Sequence, residues 1–246
     1  MTKVLIDADT VAFACAASAE DGELWQATTR ADEMVHRIQA ATEANTVELW
    51  LSGKENFRYK VYPEYKANRL GAYRPKYERE VKDFLVSEWG ANWSDGCEAD
   101  DMVGVRQLEE QDTIIAHIDK DINMIPGMHY NWDIVRKGVV VSPAKTYEIT
   151  MDDSWYNFYY QLIVGDPGTD NIKGVPGAGP AKATKFLNST DRQRWLQGIR
   201  ELYSCDAELQ MNAQCLWIWR KYNDIWNWET DPSQELTEEI DDTGIS

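Results

Sequence analysis

Eight acidic residues fall into four groups along the 246-residue chain: Asp7; Glu98, Asp100 and Asp101 in GCEADDMVGV; Asp119 and Asp121 in HIDKDINMIPG; Asp166 and Asp170 in GDPGTDNIKG. Hard divalent cations such as Mg2+ or Mn2+ take oxygen ligands and keep several waters, so grouped carboxylates suit them. Two such ions, about 4 Å apart, can bind both the attacking water and the departing oxygen of a phosphodiester. The chemistry implied is metal-assisted phosphodiester hydrolysis. Each group alone has an ordinary explanation. Glu98, Asp100 and Asp101 suit a helix N-terminus through its dipole, and the other acids suit loops and turns. Their joint occurrence at the ends of expected elements is what points to a site.

A phosphate partner needs donors as well. VPGAGPAKATKF offers main-chain N–H groups in the Gly177 to Gly179 turn, with Lys182 and Lys185 on the helix beyond. Such a hairpin grips a DNA backbone without reading bases, although a plain helix connection has the same form. The formal net charge of −17 argues at first against nucleic acid. Its distribution reverses that argument. Residues 229 to 246 carry seven acids and no Lys or Arg, which is the composition of a solvated, disordered tail. By contrast, residues 57 to 80 hold seven basic residues against three acidic ones, interleaved with tyrosines. Within this stripe Lys66 and Arg69, three apart, can face one phosphate, and Arg58 and Tyr65 are further candidate DNA contacts.

The elements that must position these groups alternate. KVLID reads as a buried strand ending in Asp7, followed by a helix from Thr10 with Asp9 as its cap. Residues 31 to 44 repeat apolar side chains at helical spacing, and TVELWL is a second strand. Another helix is expected around Tyr77, Val81, Phe84 and Leu85, and TIIAHI is a third strand that leads to Asp119. This alternation implies an α/β fold with a mostly parallel sheet, whose ligands gather at the carboxyl ends of the strands. VVVS and TYEIT, joined by Pro143 and Ala144, read as an edge hairpin. From Trp155 the pattern is helical, with one stripe of Trp155, Phe158, Tyr159, Leu162 and Ile163 that stops at Gly165. The expected division is an α/β core over 1–151, a helical region over 152–228 with a helix-hairpin-helix turn, and the tail over 229–246. Its last helix, LQMNAQCLWIWRKYNDIWNW, is expected to pack through its tryptophans. The four cysteines lack zinc-type spacing and read as reduced core residues, and with no spanning apolar run a cytoplasmic protein is expected.

Taken together, VLIDAD, NFRYKVYPEYKANR, GCEADD, DKDINMIPG and GDPGTDNIKGVPGAGPAKA resemble the 5′-nucleases. These are the flap endonucleases and 5′–3′ exonucleases, including phage enzymes and the nuclease domain of bacterial DNA polymerase I. The resemblance runs from Asp7 to about Leu187. It implies a PIN-like mixed sheet flanked by helices, a two-metal site of Mg2+ or Mn2+, and a helix-hairpin-helix region that holds duplex DNA and a potassium ion. Carried over by position, Asp7, Glu98, Asp100 and Asp119 resemble ligands of one ion and Asp121, Asp166 and Asp170 those of the other, with Asp101 in support. Lys66 and Arg69 match the basic pair on the scissile phosphate, and Phe13 falls where an aromatic stacks on a terminal base. The substrate implied is DNA with a free 5′ end, flap or nick. The expected form is a monomer, in a setting of replication or recombination proteins. The chain departs from the family at Ser52, where an aspartate is usual, in the longer spacing of GDPGTDN, and in a short stretch between Arg69 and Glu98. A non-catalytic DNA-structure binding module and a PIN-like ribonuclease remain the alternatives.

Overall fold

The computed structural model describes residues 1–228, so the acidic tail lies outside the described residues. In chain order the elements are β1 (Lys3–Asp7), α1 (Ala8–Ser18), α2 (Leu24–Ala41), β2 (Thr46–Leu51), α3 (Arg58–Val61), α4 (Glu78–Trp89), β3 (Asn92–Trp93), α5 (Ala99–Glu109) and β4 (Thr113–Ala116). There follow β5 (Gly127–Asn131), β6 (Ile134–Arg136), β7 (Val139–Ser142), β8 (Lys145–Ile149), α6 (Met151–Val164), β9 (Gly165–Asp166), β10 (Ile172–Lys173), α7 (Pro180–Ser189), α8 (Trp195–Leu202) and α9 (Asp206–Leu216). The chain divides into two compact units. One comprises Met1–Phe57, Gly71–Met151 and Ile218–Asn223; the other comprises Arg58–Leu70, Asp152–Trp217 and the chain from Asp224.

The first unit is a six-stranded sheet in the order β3-β2-β1-β4-β5-β8, parallel except for β8 at its edge. A central parallel strand is covered on both faces, and KVLID shows why an unbroken apolar run is needed there. Val4 and Ile6 join the core formed with Val11 of α1, Val35 and Ile38 of α2, and Val81 and Leu85 of α4. Leu5, pointing to the opposite face, packs with Ile115, Val103 of α5 and Ile218. Each such side chain contributes about 1.5–3 kcal/mol by leaving water. The parallel register brings the carboxyl ends of β1, β2 and β4 to one edge of the sheet, and Asp7 stands level with Trp50.

Three expectations change here. Asp9 does not cap α1: the helix begins at Ala8, and Asp7 itself is the cap, its carboxylate accepting the Asp9 N–H. VVVS does not pair with TYEIT. β7 pairs with β6, because Lys137 and Gly138, both at positive φ, make a tight turn between them, while β8 joins β5. Stacking of Tyr147 on His129, with centroids 5.5 Å apart, accompanies that second pairing. Finally, Cys205 is exposed, whereas Cys15, Cys97 and Cys215 are buried.

The second unit is mostly helical. The α6 stripe of Trp155, Phe158, Tyr159, Leu162 and Ile163 is buried, and the helix ends at Gly165 with φ +74°. Trp155 stacks on Trp217 at 5.3 Å, and Phe158 meets the same ring edge-on at 4.9 Å. The tryptophans therefore pack as expected, but α9 stops at Leu216 and the Trp-rich stretch beyond it is not helical. Among the described residues no helix is long and apolar enough to cross a membrane.

Candidate active site

In the first unit the acids sit at the end of β1, at the start of α5 and just after β4. Asp7 is buried, accepts the Asp9 N–H at 3.1 Å and takes a second hydrogen bond from the Thr10 hydroxyl. Burial, then the charges of Asp9 and Asp119, push its carboxyl up to about 7, against the pull of those two hydrogen bonds. Glu98 caps α5, and Asp101 completes a capping box by accepting the Glu98 N–H at 3.0 Å. The other oxygen of Asp101 accepts the Trp219 N–H at 3.1 Å, so this fully buried acid ties α5 to the segment after α9. Asp100, half-buried, lies in the first turn of α5. Ser52, at the end of β2, accepts the Ala99 N–H at 3.0 Å and so helps to start the same helix.

Asp119 follows β4 by three residues, and its carboxylate accepts the Asp121 N–H at 2.8 Å. Its main-chain carbonyl accepts from His117 Nδ1 at 2.6 Å, and His117 Nε2 lies 2.9 Å from His129 Nδ1. Burial holds both imidazoles far below their usual range, at about 3 for His117 and about 4 for His129. This buried pair fixes the turn that carries Asp119, and the acid pattern alone did not reveal it. Asp121 meets Lys120 at 2.8 Å. Sequence reasoning also missed Lys82 of α4, whose Nζ is 2.7 Å from Asp9 and 3.3 Å from Glu78. The only signal for it was a lysine on the α4 turn adjoining buried Val81.

The second unit brings together motifs about a hundred residues apart. Asp170 accepts a hydrogen bond from the Tyr65 hydroxyl at 3.0 Å and from Arg69 Nη2 at 3.0 Å, and Lys66 Nζ lies 3.8 Å away. The backbone is joined too: the Lys66 N–H donates to the Asp170 carbonyl, Arg69 Nε to that of Thr169, and Asn68 to those of Pro167 and Gly168. Asp166 accepts the Thr169 N–H at 2.9 Å and closes the turn. Behind it, Gly165 and Gly174 approach so closely that a Cβ on Gly165 would lie 2.2 Å from the Gly174 nitrogen. Lys66 and Arg69, expected to face one phosphate, both turn towards Asp170, from a left-handed residue and a short 3-10 turn.

Two expected contacts are used inside the protein. Arg58, 2% exposed, donates to the carbonyls of Cys215 and Trp217, which an N-terminal residue of α3 reaches because α9 ends there. Its guanidinium holds the chain together and is not offered to a phosphate. Tyr65 is equally buried, with its hydroxyl on Asp170. Phe13 is 43% exposed on α1 and meets Tyr73 edge-on at 6.3 Å. Gly177 has φ +69°, Gly179 caps α7 with Pro180 at its first position, and Lys182 and Lys185 are exposed on that helix. Among the described residues no three His, Cys, Asp or Glu side chains stand close enough together to hold an ion as they are.

The fold, a mostly parallel sheet flanked by helices, matches that of solved 5′-exonuclease structures. It is similar to the bacteriophage T5 5′-exonuclease solved with zinc, with a TM-score of 0.63, 17% identity, and 88% of this chain and 89% of that one covered. The T5 flap endonuclease, solved in a pseudo-enzyme-product complex with DNA and metal ions, gives 0.62 at the same identity and coverage. In sequence, the chain is 31% identical over 173 residues to the 5′-3′ exonuclease of Buchnera aphidicola, covering 65% of this chain and 55% of that protein. It is 27% identical over 170 residues to DNA polymerase I of Bacillus caldotenax, covering 63% of this chain and 19% of that protein. The chain thus matches about half of the first relative's length and about a fifth of the second's. No protein-family model matches it. The resemblance to 5′-nucleases carried by the motifs is borne out by these relatives and by the shared fold.

Proposed function

We propose that the protein is a structure-selective 5′–3′ exonuclease and flap endonuclease that hydrolyses DNA phosphodiesters and leaves 5′-phosphates. The observation that carries this reading is Asp7: a buried carboxylate at the end of the central strand, raised by burial and by neighbouring acids, which is the environment a cation would relieve. The all-oxygen donor set of Asp7, Glu98, Asp100 and Asp119 fits Mg2+ or Mn2+, and these residues would hold one ion on drawing closer together than they stand in this structure. Asp121 in the first unit, and Asp166 and Asp170 in the second, are by resemblance further oxygen donors for cations. Bound ions would supply Lewis-acid activation of water and stabilisation of the leaving oxygen. This chain's own residues do the rest. Asp101 and the histidine pair keep the acid-bearing segments in place, Lys66 and Arg69 would offset charge on the phosphate, and Phe13 would stack on a terminal base. The Gly177 to Gly179 turn with Lys182 and Lys185 would grip the DNA backbone and hold a K+ ion.

A second reading, a DNA-structure binding module that does not cut, is favoured by one observation: Ser52 offers a hydroxyl where a further carboxylate would strengthen the site. Labelled 5′-flap, nicked, blunt and single-stranded substrates, digested side by side with Mg2+ or EDTA, separate the two. The nuclease reading expects Mg2+-dependent 5′ cleavage with a preference for flap or nick. Retarded but intact substrates in Mg2+ would establish the binder.

A further inference from the structure

Lys82 is an unusual neighbour for an acidic strand end. It reaches from α4 to the first turn of α1, its side chain is 18% exposed, and its ammonium lies 2.7 Å from Asp9 Oδ1 and 3.3 Å from Glu78. Asp9 is held from its other side, where Oδ2 accepts the Ser52 N–H at 2.9 Å and so fixes the carboxylate at the end of β2. Asp9 Oδ1 is buried, and the Lys82 ammonium beside it is the cation that compensates it. Two residues away stands Asp7, whose carboxylate accepts the Asp9 N–H at 3.1 Å.

We propose that Lys82 is an internal counter-cation of the acidic site: by pairing with Asp9 it lowers the negative charge around Asp7 and sets how tightly the site takes a divalent ion. The inference rests on the reading of these acids as a metal centre. An ordinary exposed ion pair contributes little to stability and has no such effect. Here both partners are largely covered and share a neighbourhood with further acids, so the pair's charge is felt beyond it. Lys82 is a positioning residue, acting on the ion only through Asp9 and the local field. It lets the metal-free protein fold with several acids at one sheet edge, at the cost of some metal affinity. Glu78, its other partner, has Arg74 3.5 Å away and remains compensated if Lys82 is lost.

The test is Mn2+ binding, read by the electron paramagnetic resonance signal of free Mn2+, together with thermal unfolding in EDTA. Wild type, Lys82→Met, Lys82→Arg, Asp9→Asn and the double variant Asp9→Asn with Lys82→Met are compared. Lys82→Met is expected to unfold a few degrees lower in EDTA yet to bind Mn2+ roughly three- to tenfold more tightly, since one compensating charge is gone. Lys82→Arg should match wild type in both respects. The double variant should regain most of the lost stability and return the Mn2+ affinity towards that of wild type. If Lys82→Met loses stability while its Mn2+ affinity is unchanged or weaker, Lys82 is only a packing residue and the proposal fails. If wild type takes up no Mn2+ at all, the metal reading of the site fails first and this inference falls with it.

Discussion

Asp7, at the end of β1, and Asp170, in the turn between β9 and β10, are both buried aspartates, one in each unit, and their surroundings are opposite in kind. Around Asp7 the charges that matter are those of Asp9 and Asp119, both negative. Around Asp170 stand Tyr65, Arg69 and Lys66, a donor and two cations. The difference teaches that one residue type serves two ends. Asp7 holds an unfavourable charge that a ligand cation would stabilise, whereas Asp170 stabilises the metal-free fold by knitting the 65–69 segment to the 166–171 turn.

The largest expected effect separates activity from stability. Asp7→Asn should lower Mg2+-dependent cleavage by about a thousandfold or more, as loss of a group acting on charge in the transition state does. In EDTA at pH 7 it should nonetheless raise the unfolding free energy, by on the order of 2 kcal/mol, because the buried like-charge burden is removed. A variant that loses both activity and stability would break the contrast. Next in size, Asp170→Asn should destabilise by about 1–3 kcal/mol in urea unfolding, since it removes the anion that Lys66 and Arg69 share, the latter partly in solvent.

A smaller effect lies in pH. The Asp7 carboxyl is raised from an ordinary 3.8 to about 7 in the fold, so the native state takes up its proton at higher pH than the unfolded chain does. Its ionised form therefore costs stability at and above pH 7, and that cost fades as pH falls through 7 towards 4. The stabilisation by Asp7→Asn, measured in EDTA, should shrink over that window and vanish near pH 4; a constant difference would contradict the assignment. Smallest of all, Tyr65→Phe removes one hydrogen bond to Asp170 and should cost about 1 kcal/mol.

Much of this was legible in the residues because buried parallel strands demand unbroken apolar runs. KVLID and TVELWL show them, and the parallel register then carries Asp7 and the end of β2 to one edge. The α6 stripe was equally plain, since five large apolar side chains at helical spacing admit one buried face. What escaped were choices between equivalent local partners. VVVS had two possible strands to pair with, and the Lys137–Gly138 turn decided it. Arg58 looked like a phosphate contact because charge alone does not show that carbonyls at the end of α9 will claim a guanidinium. Lys82 and the His117–His129 pair were invisible because their role depends on contacts made only when α4 and β5 come into place.

The account stands or falls on the acids at the strand ends doing metal-dependent chemistry on DNA, and Asp119→Asn tests that most directly. Cleavage and gel retardation of one labelled 5′-flap duplex are measured for this variant and for wild type, with Mg2+ present. The expected result is that cleavage is abolished while the duplex is still bound within a fewfold of wild type. Turnover equal to that of wild type would contradict the account.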